Sequence, residues 1–230
     1  KQASEALLEK CTALLEKSEL TVNFNAKNVL GSADARTPEL LNSFQTGLRF
    51  QGKAATHHTT RDRAEDHVFD YAGARSGVVK EYGVVSHDPN YNMKLDKTAL
   101  GVQDNPKFDG TSRPVYGALN WANKKYGAAD CYGQSFFVLH DYIKFKCTFT
   151  AKDTYALSIE QDIAAGIDGL YNVIRLLSDD VLDEMVDLAQ AWFRRSNDDA
   201  QSYVEAQICT QIDFSRDVSR AVVYLGGGSK

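Results

Sequence analysis

The stretch YVEAQICTQIDF, residues 203–214, has the local signs of a β-strand. Its residues alternate between an apolar and a more polar set: Val204, Ala206 and Ile208, and Glu205, Gln207 and Cys209. Because a period of two is typical of a half-buried strand, we expect Glu205 and Gln207 to project together from the face opposite the apolar residues. That face is either exposed to water or forms the wall of a cleft in which a negative charge is needed.

The composition is typical of a soluble globular protein. The chain has 230 residues, of which 43% are hydrophobic and 25% are charged, and we expect a single domain over residues 1–230. The net charge of -5 argues against a general nucleic-acid binder, whose surface would be basic. No apolar run approaches the roughly 18 residues of a membrane span. We therefore predict neither nucleic acid nor a membrane as a partner.

The four cysteines are scattered along the chain and form no C-x-x-C pair. Their spacing indicates neither a zinc site nor a disulfide framework, and it favours a reducing compartment. Cys147 falls on the apolar phase of a strand pattern and is predicted to be a small core residue. The sequence begins at Lys1 and has no signal-peptide pattern, so we expect that any export segment has been removed.

The N-terminal part of the chain predicts three elements. An amphipathic helix is expected over ASEALLEKCTALLEKSEL, residues 3–20, because its leucines fall on one stripe. LTVNFN, residues 20–25, is typical of a short strand. RTPELLNSF, residues 36–44, predicts a short helix with Thr37 as its N-cap and Pro38 at its first position.

The pattern weakens between residues 54 and 110. A helix is expected over residues 64–71. Residues 72–112 carry Asp, Asn, Pro and Gly throughout, which predicts a long irregular insertion at the surface. Because recognition often lies on long loops, we expect a protein substrate to dock there.

Two further strands are expected over GQSFFVLH, residues 133–140, and YIKFKCTFT, residues 142–150. In the second strand the residues predicted to face the core are Ile143, Phe145, Cys147 and Phe149.

Two helices are expected next. The first shares an apolar face formed by Ile163, Ile167, Leu170, Tyr171 and Ile174. The second begins after Ser178 as N-cap and ends with Arg194 and Arg195, whose charges suit the helix dipole. Helices and strands are mixed without a regular βαβ alternation, so the predicted fold class is α+β.

The segment THHTTRDRAEDHVFDY, residues 56–71, concentrates histidines, arginines and acids. A metal site there would use His57 or His58 with His67 and Asp70. The segment lacks the His-x-x-x-His spacing of a helical zinc site, and adjacent histidines point apart, so we predict no metal. A solvated polar segment is the commoner interpretation. Arg61 and Arg63 are alternatives as phosphate binders, because a guanidinium suits a pyrophosphate.

Three other segments carry candidate binding residues. RPVYGALN, residues 113–120, holds Arg113, a tyrosine ring that could pack on an aromatic ligand, and a glycine that permits close backbone approach. FQTGLRFQG, residues 44–52, is glycine-rich but lacks the Gly-Lys-Ser/Thr of a P-loop. YGQSFF, residues 132–137, lacks the G-x-S-x-G elbow of a hydrolase, so Ser135 is not read as a nucleophile.

Taken in order, seven blocks resemble a known family. They are TVNFN, FQTGLRFQG, RDRAEDHVFDY, RPVYGALN, YGQSFFVL, CTFTAKDT and YVEAQI, and they span residues 20–223. The chain resembles the ADP-ribosyltransferase superfamily, and more narrowly the CteC-type bacterial effector family that ADP-ribosylates ubiquitin on threonine. The resemblance implies a core of two small antiparallel sheets around a cleft with flanking helices, and NAD as the cofactor. It also implies a virulence toxin secreted by a bacterium into the host cell cytoplasm, with ubiquitin as its protein substrate.

The resemblance implies roles for particular residues. Glu205 matches the late-strand glutamate that touches the nicotinamide ribose. The family pattern places Glu or Gln two residues before that glutamate, where this chain has Tyr203; here the amide, Gln207, lies two residues after it. This departure weakens the case for arginine as the acceptor.

The cofactor-binding set includes Arg113, with Arg63 as second choice for the phosphates. Ser135 is the Ser/Thr element of the pocket, and Thr46 is the alternative. If Thr46 has this role, TVNFN is the first core strand and Asn25 or a neighbour lines the site. The predicted site residues are therefore Glu205 and Gln207 for catalysis and, for NAD, Arg113, Tyr116, Gly117, Ser135, Arg63, Thr46, Gly47 and Asn25.

Two other functions stay open. The chain could be a binding module that keeps a degenerate transferase fold and acts by occupying a host protein. Alternatively, His57, His58 and His67 could serve a metal-dependent hydrolase, in which zinc would be present in near-stoichiometric amount.

Overall fold

The computed structural model of this protein describes residues 2–26, 39–42, 113–154, 164–190, 198 and 203–224. Within these residues the chain combines helices with antiparallel sheets, which confirms the α+β class. Several predicted features lie outside the described residues: the helix over 64–71, the insertion over 72–112, and the segments with Thr46, Gly47, Arg63 and the histidine cluster.

The described residues form α-helices, strands and short 3-10 helices. The α-helices are α1 (Gln2–Lys17), α2 (Leu170–Ile174), α3 (Asp179–Gln190) and α4 (Phe214–Asp217). The strands are β1 (Leu20–Phe24), β2 (Glu39–Leu40), β3 (Val115–Leu119), β4 (Ser135–Leu139), β5 (Cys147–Thr150), β6 (Val204–Ile208), β7 (Ile212–Asp213) and β8 (Val218–Val222). The 3-10 helices cover Asp130–Tyr132, Asp141–Lys146 and Ile167–Gly169.

Six strands form the main sheet, in the order β5-β6-β3-β1-β4-β8. The strands β2 and β7 form a second sheet of two strands. All neighbouring strands are antiparallel. The early strand β1 therefore lies in the middle of the main sheet, between strands that come later in the sequence.

Side chains from one face of the main sheet and from α1, α2 and α3 together form the apolar core. In α1 the side chains of Cys11 and Leu15 are buried, which confirms the predicted stripe. Phe149 of β5 and Ile208 of β6 enter the same core and are fully buried. Burial of this apolar surface is the main term that stabilises the fold.

The strand β6 lies between β5 and β3 and is buried on both faces. The strand itself was predicted correctly, but the prediction that it is half-buried is wrong. Glu205 and Gln207 are as inaccessible to water as their apolar neighbours. The strand ends at Ile208, and the next strand along the chain, β7, begins at Ile212. Protein thus encloses the polar face of β6 as well as its apolar face.

The helix expected over residues 36–44 is wrong where the structure describes it. Glu39–Leu40 form β2, and they pair with Ile212–Asp213 of β7. Pairing with a remote segment outweighs local helix propensity here, which is common for short strands. Thr37 and Pro38 lie outside the described residues.

The strand expected over residues 142–150 is wrong in its first half. Asp141–Lys146 form a 3-10 helix, and only Cys147–Thr150 are extended. Ile143 is buried as predicted, but the side chain of Phe145 is 71% exposed. A 3-10 helix has three residues per turn, so residues two apart do not share a face. Cys147 is buried, which confirms its predicted place in the core.

The two helices expected after β5 are found in part. Leu170 and Ile174 of α2 are buried as predicted, whereas Tyr171 is 44% exposed. The Tyr171 ring lies outside the core, next to the Arg175 guanidinium at 5.8 Å. The helix α3 begins directly after Ser178, as predicted. Ile163, Arg194 and Arg195 lie outside the described residues.

Candidate functional site

Glu205 lies in the middle of β6 with a carboxylate that is nearly inaccessible to water. The residue is 2% exposed. From the described residues its Oε1 atom accepts three hydrogen bonds: from the Thr154 hydroxyl at 2.6 Å, from the Thr154 backbone N–H at 3.1 Å, and from Gln207 Nε2 at 2.9 Å. Of the two possibilities for this face of the strand, the solvated one is therefore wrong.

Gln207 connects Glu205 to two threonines of the neighbouring strand. Its Nε2 atom donates to Thr150 Oγ1 at 3.0 Å as well as to Glu205, and its Oε1 atom accepts from Thr148 Oγ1 at 2.9 Å. Both amide hydrogens are thus used inside the protein. We call this group the Glu205 network: Thr148, Thr150, Thr154, Glu205 and Gln207.

The register of the sheet brings the network together. In the β5-β6 pair, Thr148 is opposite Gln207 and Thr150 is opposite Glu205. The chain then turns after β5, and Thr154 returns to the carboxylate. A buried polar group is stabilised only when its hydrogen bonds are satisfied, and the alternation of threonines on β5 supplies the partners of Gln207.

The three threonines were not identified from the sequence, although a signal was present. They lie in CTFTAKDT, where Thr148 and Thr150 alternate with the core residues Cys147 and Phe149. A period of two predicts that both threonines share a face. It does not predict which strand is their neighbour, because β5 and β6 are far apart in the sequence.

Tyr116, one of the predicted NAD-binding residues, is the cross-strand neighbour of a member of the Glu205 network. It lies directly opposite Gln207 in the β3-β6 pair and is half-buried. Ala118 of the same strand lies opposite Glu205 and is fully buried. The small alanine side chain and the tyrosine ring form the continuation of the polar face toward β1.

A loop lies over the β1 end of this face and is held by β1 side chains. Asn23 Nδ2 donates to the carbonyl oxygens of Tyr126 and Gly133 at 2.6 and 2.8 Å, and its Oδ1 accepts from the Ala129 N–H at 3.1 Å. Thr21 Oγ1 accepts from the Ala128 N–H at 3.1 Å. These bonds fix the loop between β3 and β4 next to the candidate site.

Two tyrosines converge on one carboxylate oxygen beside the network. The hydroxyls of Tyr132 and Tyr203 both donate to Asp153 Oδ2, the second at 3.0 Å. Partial desolvation raises the pKa of both phenols above the usual range; the hydrogen bond to Asp153 adds to the shift at Tyr132, and the hydrogen bond with Tyr132 adds to it at Tyr203. Both phenols therefore remain protonated donors. Because Asp153 directly precedes Thr154, this cluster borders the Glu205 network.

Arg113 is not brought next to Glu205. It precedes Ala118, the partner of Glu205, by five residues along the chain, about 16 Å of extended backbone. Arg113 is buried, and its carbonyl oxygen accepts a hydrogen bond from Asn42 Nδ2 at 3.1 Å. The structure thus places this arginine near the β2 end of the molecule.

Three other predicted residues are placed around the sheet. Gly117 faces the core side, where an added Cβ would lie 2.8 Å from the Thr21 carbonyl oxygen, so the glycine serves close strand packing. Ser135 is buried, and its hydroxyl accepts from the Tyr224 N–H at 2.9 Å. Asn25 is exposed just after β1.

Arg63, Thr46 and Gly47 lie outside the described residues. Within the described part of the chain, no three His, Cys, Asp or Glu side chains come together in a way that could hold a metal ion. None of the helices described has the length and apolar character needed to cross a membrane.

Comparison with known proteins gives one family. No curated protein matches the sequence. A family model described as "Protein of unknown function (DUF3626)" matches residues 42–226, which include β3 to β8 and the whole Glu205 network. Since this match covers most of the chain, the protein belongs to the DUF3626 family.

Proposed function

We propose that this protein is a mono-ADP-ribosyltransferase that transfers ADP-ribose from NAD to a hydroxyl group of another protein, with Glu205 as the catalytic carboxylate. The observation that carries the proposal is the enclosure of this carboxylate on a polar sheet face, where three donors from the described residues hold one of its oxygens. Removing a carboxylate from water costs free energy, and such groups are concentrated at functional sites. The resemblance of the sequence blocks supplies the reaction.

The proposed step exchanges one bond at the ribose for another. The bond between C1′ and the nicotinamide nitrogen breaks, and its electron pair leaves with nicotinamide. Positive charge develops on the ribose, where a fixed carboxylate stabilises it electrostatically. The acceptor hydroxyl oxygen then bonds to C1′, and its proton passes to water. The role of Glu205 is to stabilise the cation, and the enzyme must also position the acceptor and exclude water.

Tyr116 would pack near the nicotinamide ring. It lies opposite Gln207 in the strand pair, and its half-buried ring offers a flat surface for another aromatic ring. In the proposed arrangement NAD lies extended in a cleft between the two antiparallel sheets. Thr46 would be the hydroxyl element of that cleft, because Ser135 pairs with the core residue Phe24 and so lies on the sheet face opposite Glu205.

The phosphates would be bound by Arg113 or by Arg63. Calorimetric titration of NAD into R113K and R63K distinguishes them. The guanidinium forms two parallel hydrogen bonds to phosphate that lysine cannot form, so we expect binding to weaken about tenfold in only one variant. Unchanged affinity in R113K would assign the phosphates to Arg63.

The proposed acceptor is a threonine of ubiquitin in the cytoplasm of a host cell, which the protein would reach as a secreted bacterial effector. This part of the proposal rests on the CteC-type resemblance alone. A direct assay incubates the protein with ubiquitin and NAD and measures the mass of ubiquitin. Mass spectrometry of host lysate treated in the same way would find a different acceptor.

The catalytic assignment is tested with E205Q and a matched control. E205Q keeps the shape of the side chain and removes its charge, whereas E9Q makes the same change at an exposed position of α1. We expect E205Q to lower nicotinamide release and protein labelling about a hundredfold or more, and E9Q to leave both unchanged. Wild-type labelling by E205Q would end the proposal.

A non-catalytic binding module is the second candidate function. The observation that favours it is the use of both Gln207 amide hydrogens inside the protein, which is also the arrangement of a purely structural network. This candidate predicts a stable complex with a partner protein and no release of nicotinamide from NAD. The same assays therefore separate the two functions.

A further inference from the structure

Thr154 contacts the Glu205 carboxylate twice. Its hydroxyl and its backbone N–H donate to the same atom, Glu205 Oε1, at 2.6 and 3.1 Å. Thr154 is 1% exposed, so water cannot easily take its place. Two donors from one residue restrict the position of that oxygen more tightly than either would alone.

The other threonines of the Glu205 network reach the carboxylate only through Gln207. Thr148 and Thr150 bind the Gln207 amide, and Gln207 then gives Glu205 a single hydrogen bond. Thr154 differs because it lies beyond the end of β5, after a turn. Within the described part of the chain, the carboxylate oxygen is therefore held from two segments, one within β6 and one after β5.

We infer that Thr154 is a positioning residue for Glu205, a role that rests on the proposed function. A catalytic carboxylate must be held close to its productive geometry by neighbours whose own positions are fixed. Thr154 acts on the orientation of the carboxylate and not on the substrate. Its loss should therefore lower kcat and leave the KM for NAD nearly unchanged.

Three variants test this inference. T154V removes the hydroxyl but keeps the shape of the side chain and the backbone N–H, whereas T154S keeps the hydroxyl. T12V makes the same change in α1, where the Thr12 hydroxyl donates to the Leu8 carbonyl oxygen at 2.9 Å. We expect kcat for nicotinamide release to fall about ten- to hundredfold in T154V, with KM within about threefold. T154S and T12V should stay within about threefold of wild type.

A measurement that does not need turnover observes the carboxylate itself. The protein is labelled with ¹³C at the glutamate side-chain carboxyl, and the Glu205 resonance is assigned by its absence in E205Q. We expect T154V to move this resonance and T154S to leave it near its wild-type position. An unmoved resonance in T154V overturns the positioning role whether or not the protein turns over NAD.

The outcomes separate the two proposals. Wild-type kcat in T154V, together with an inactive E205Q, overturns the role of Thr154 and leaves the transferase proposal standing. Equal activity of wild type and E205Q, or no nicotinamide release by either, overturns the transferase proposal and with it the role of Thr154. A low kcat in T154V that T154S restores supports both.

Discussion

The ammonium of Lys144 donates to the carbonyl oxygen of Glu16 at 2.7 Å, which caps the C-terminal end of α1 from the 3-10 helix before β5. Carbonyl groups in the last turn of a helix have no intrahelical partner, and a cation there also suits the helix dipole. The same ammonium pairs with Asp141 at 2.8 Å. Lys144 is 4% exposed, so this contact joins α1 to the sheet in a nearly dry environment.

Replacing Lys144 by methionine should destabilise the protein. K144M keeps most of the side-chain volume but leaves the Glu16 carbonyl without this donor, which should lower the free energy of unfolding by about 1–3 kcal/mol. Lys146 lies in the same 3-10 helix and is exposed, so K146M should change stability by less than about 0.5 kcal/mol. Urea unfolding monitored by circular dichroism measures both. Equal effects would show that the Lys144 contact contributes nothing specific.

Gly133 should not tolerate a side chain, whereas Gly166 should. Gly133 has φ 144°, and a Cβ there would lie 2.2 Å from the Phe24 carbonyl oxygen. We expect G133A to lower the free energy of unfolding by about 3 kcal/mol or more, because backbone strain and a clash add. No atom lies within 4 Å of a Cβ at Gly166, so G166A should stay within about 0.5 kcal/mol of wild type. Wild-type stability in G133A would contradict the position of the loop against β1.

The stability of the protein should fall in acid because of Asp217. The Arg216 guanidinium holds the pKa of this buried carboxyl well below its usual range, with a further hydrogen bond from Tyr142, although burial opposes the shift. A lowered folded-state pKa stabilises the protein above the unfolded pKa of about 3.9, and this stability is lost as the pH falls further. D217N should be less stable at pH 7, and its difference from wild type should narrow below pH 4.

The control for Asp217 is D187N, which removes an exposed charge on α3. Its unfolding free energy should have the wild-type pH dependence. Urea unfolding between pH 3 and pH 7 provides the comparison. A wild-type pH dependence in D217N would show that this carboxylate is not responsible.

Replacement of Phe145 and of Phe149 by alanine should change the stability of the protein by very different amounts, although both residues belong to the same sequence alternation. Phe149 is fully buried in the core, and F149A should cost about 3–5 kcal/mol of stability. The ring of Phe145 is 71% exposed, and F145A should stay within about 0.5 kcal/mol of wild type. Chemical unfolding of the two variants is the test. A large loss of stability in F145A would contradict the exposed position of Phe145 and would support the strand predicted over residues 142–150.

The parts of the fold that could be predicted are those with an uninterrupted local period. The stripe of α1 and the alternation in β1 and β6 place apolar residues at intervals that match the helix or the strand, and β4 is a short continuous apolar run. Residues 142–146 show why this is not sufficient, since a 3-10 helix there carries an alternation like that of a strand. The pairing of β2 with β7 depends on contact between distant segments, which no local pattern encodes.

The candidate site could be predicted only in part for the same reason. Alternation predicted that Glu205 and Gln207 share a face, and the structure adds that this face is closed to water. The hydrogen-bond partners Thr148 and Thr154 come from another segment of the chain. Their role depends on which strand is adjacent to β6, and that is a property of the whole sheet.

The central place of β1 has a consequence for how fragments of this protein should be designed. The family match begins at residue 42, after β1, yet β1 joins β3 to β4 in the main sheet. A truncated chain that starts at the family boundary would divide the sheet into β5-β6-β3 and β4-β8. Two newly exposed strand edges would then be open to pairing with other molecules, which leads to aggregation. Recombinant versions should therefore retain the residues that precede the family match.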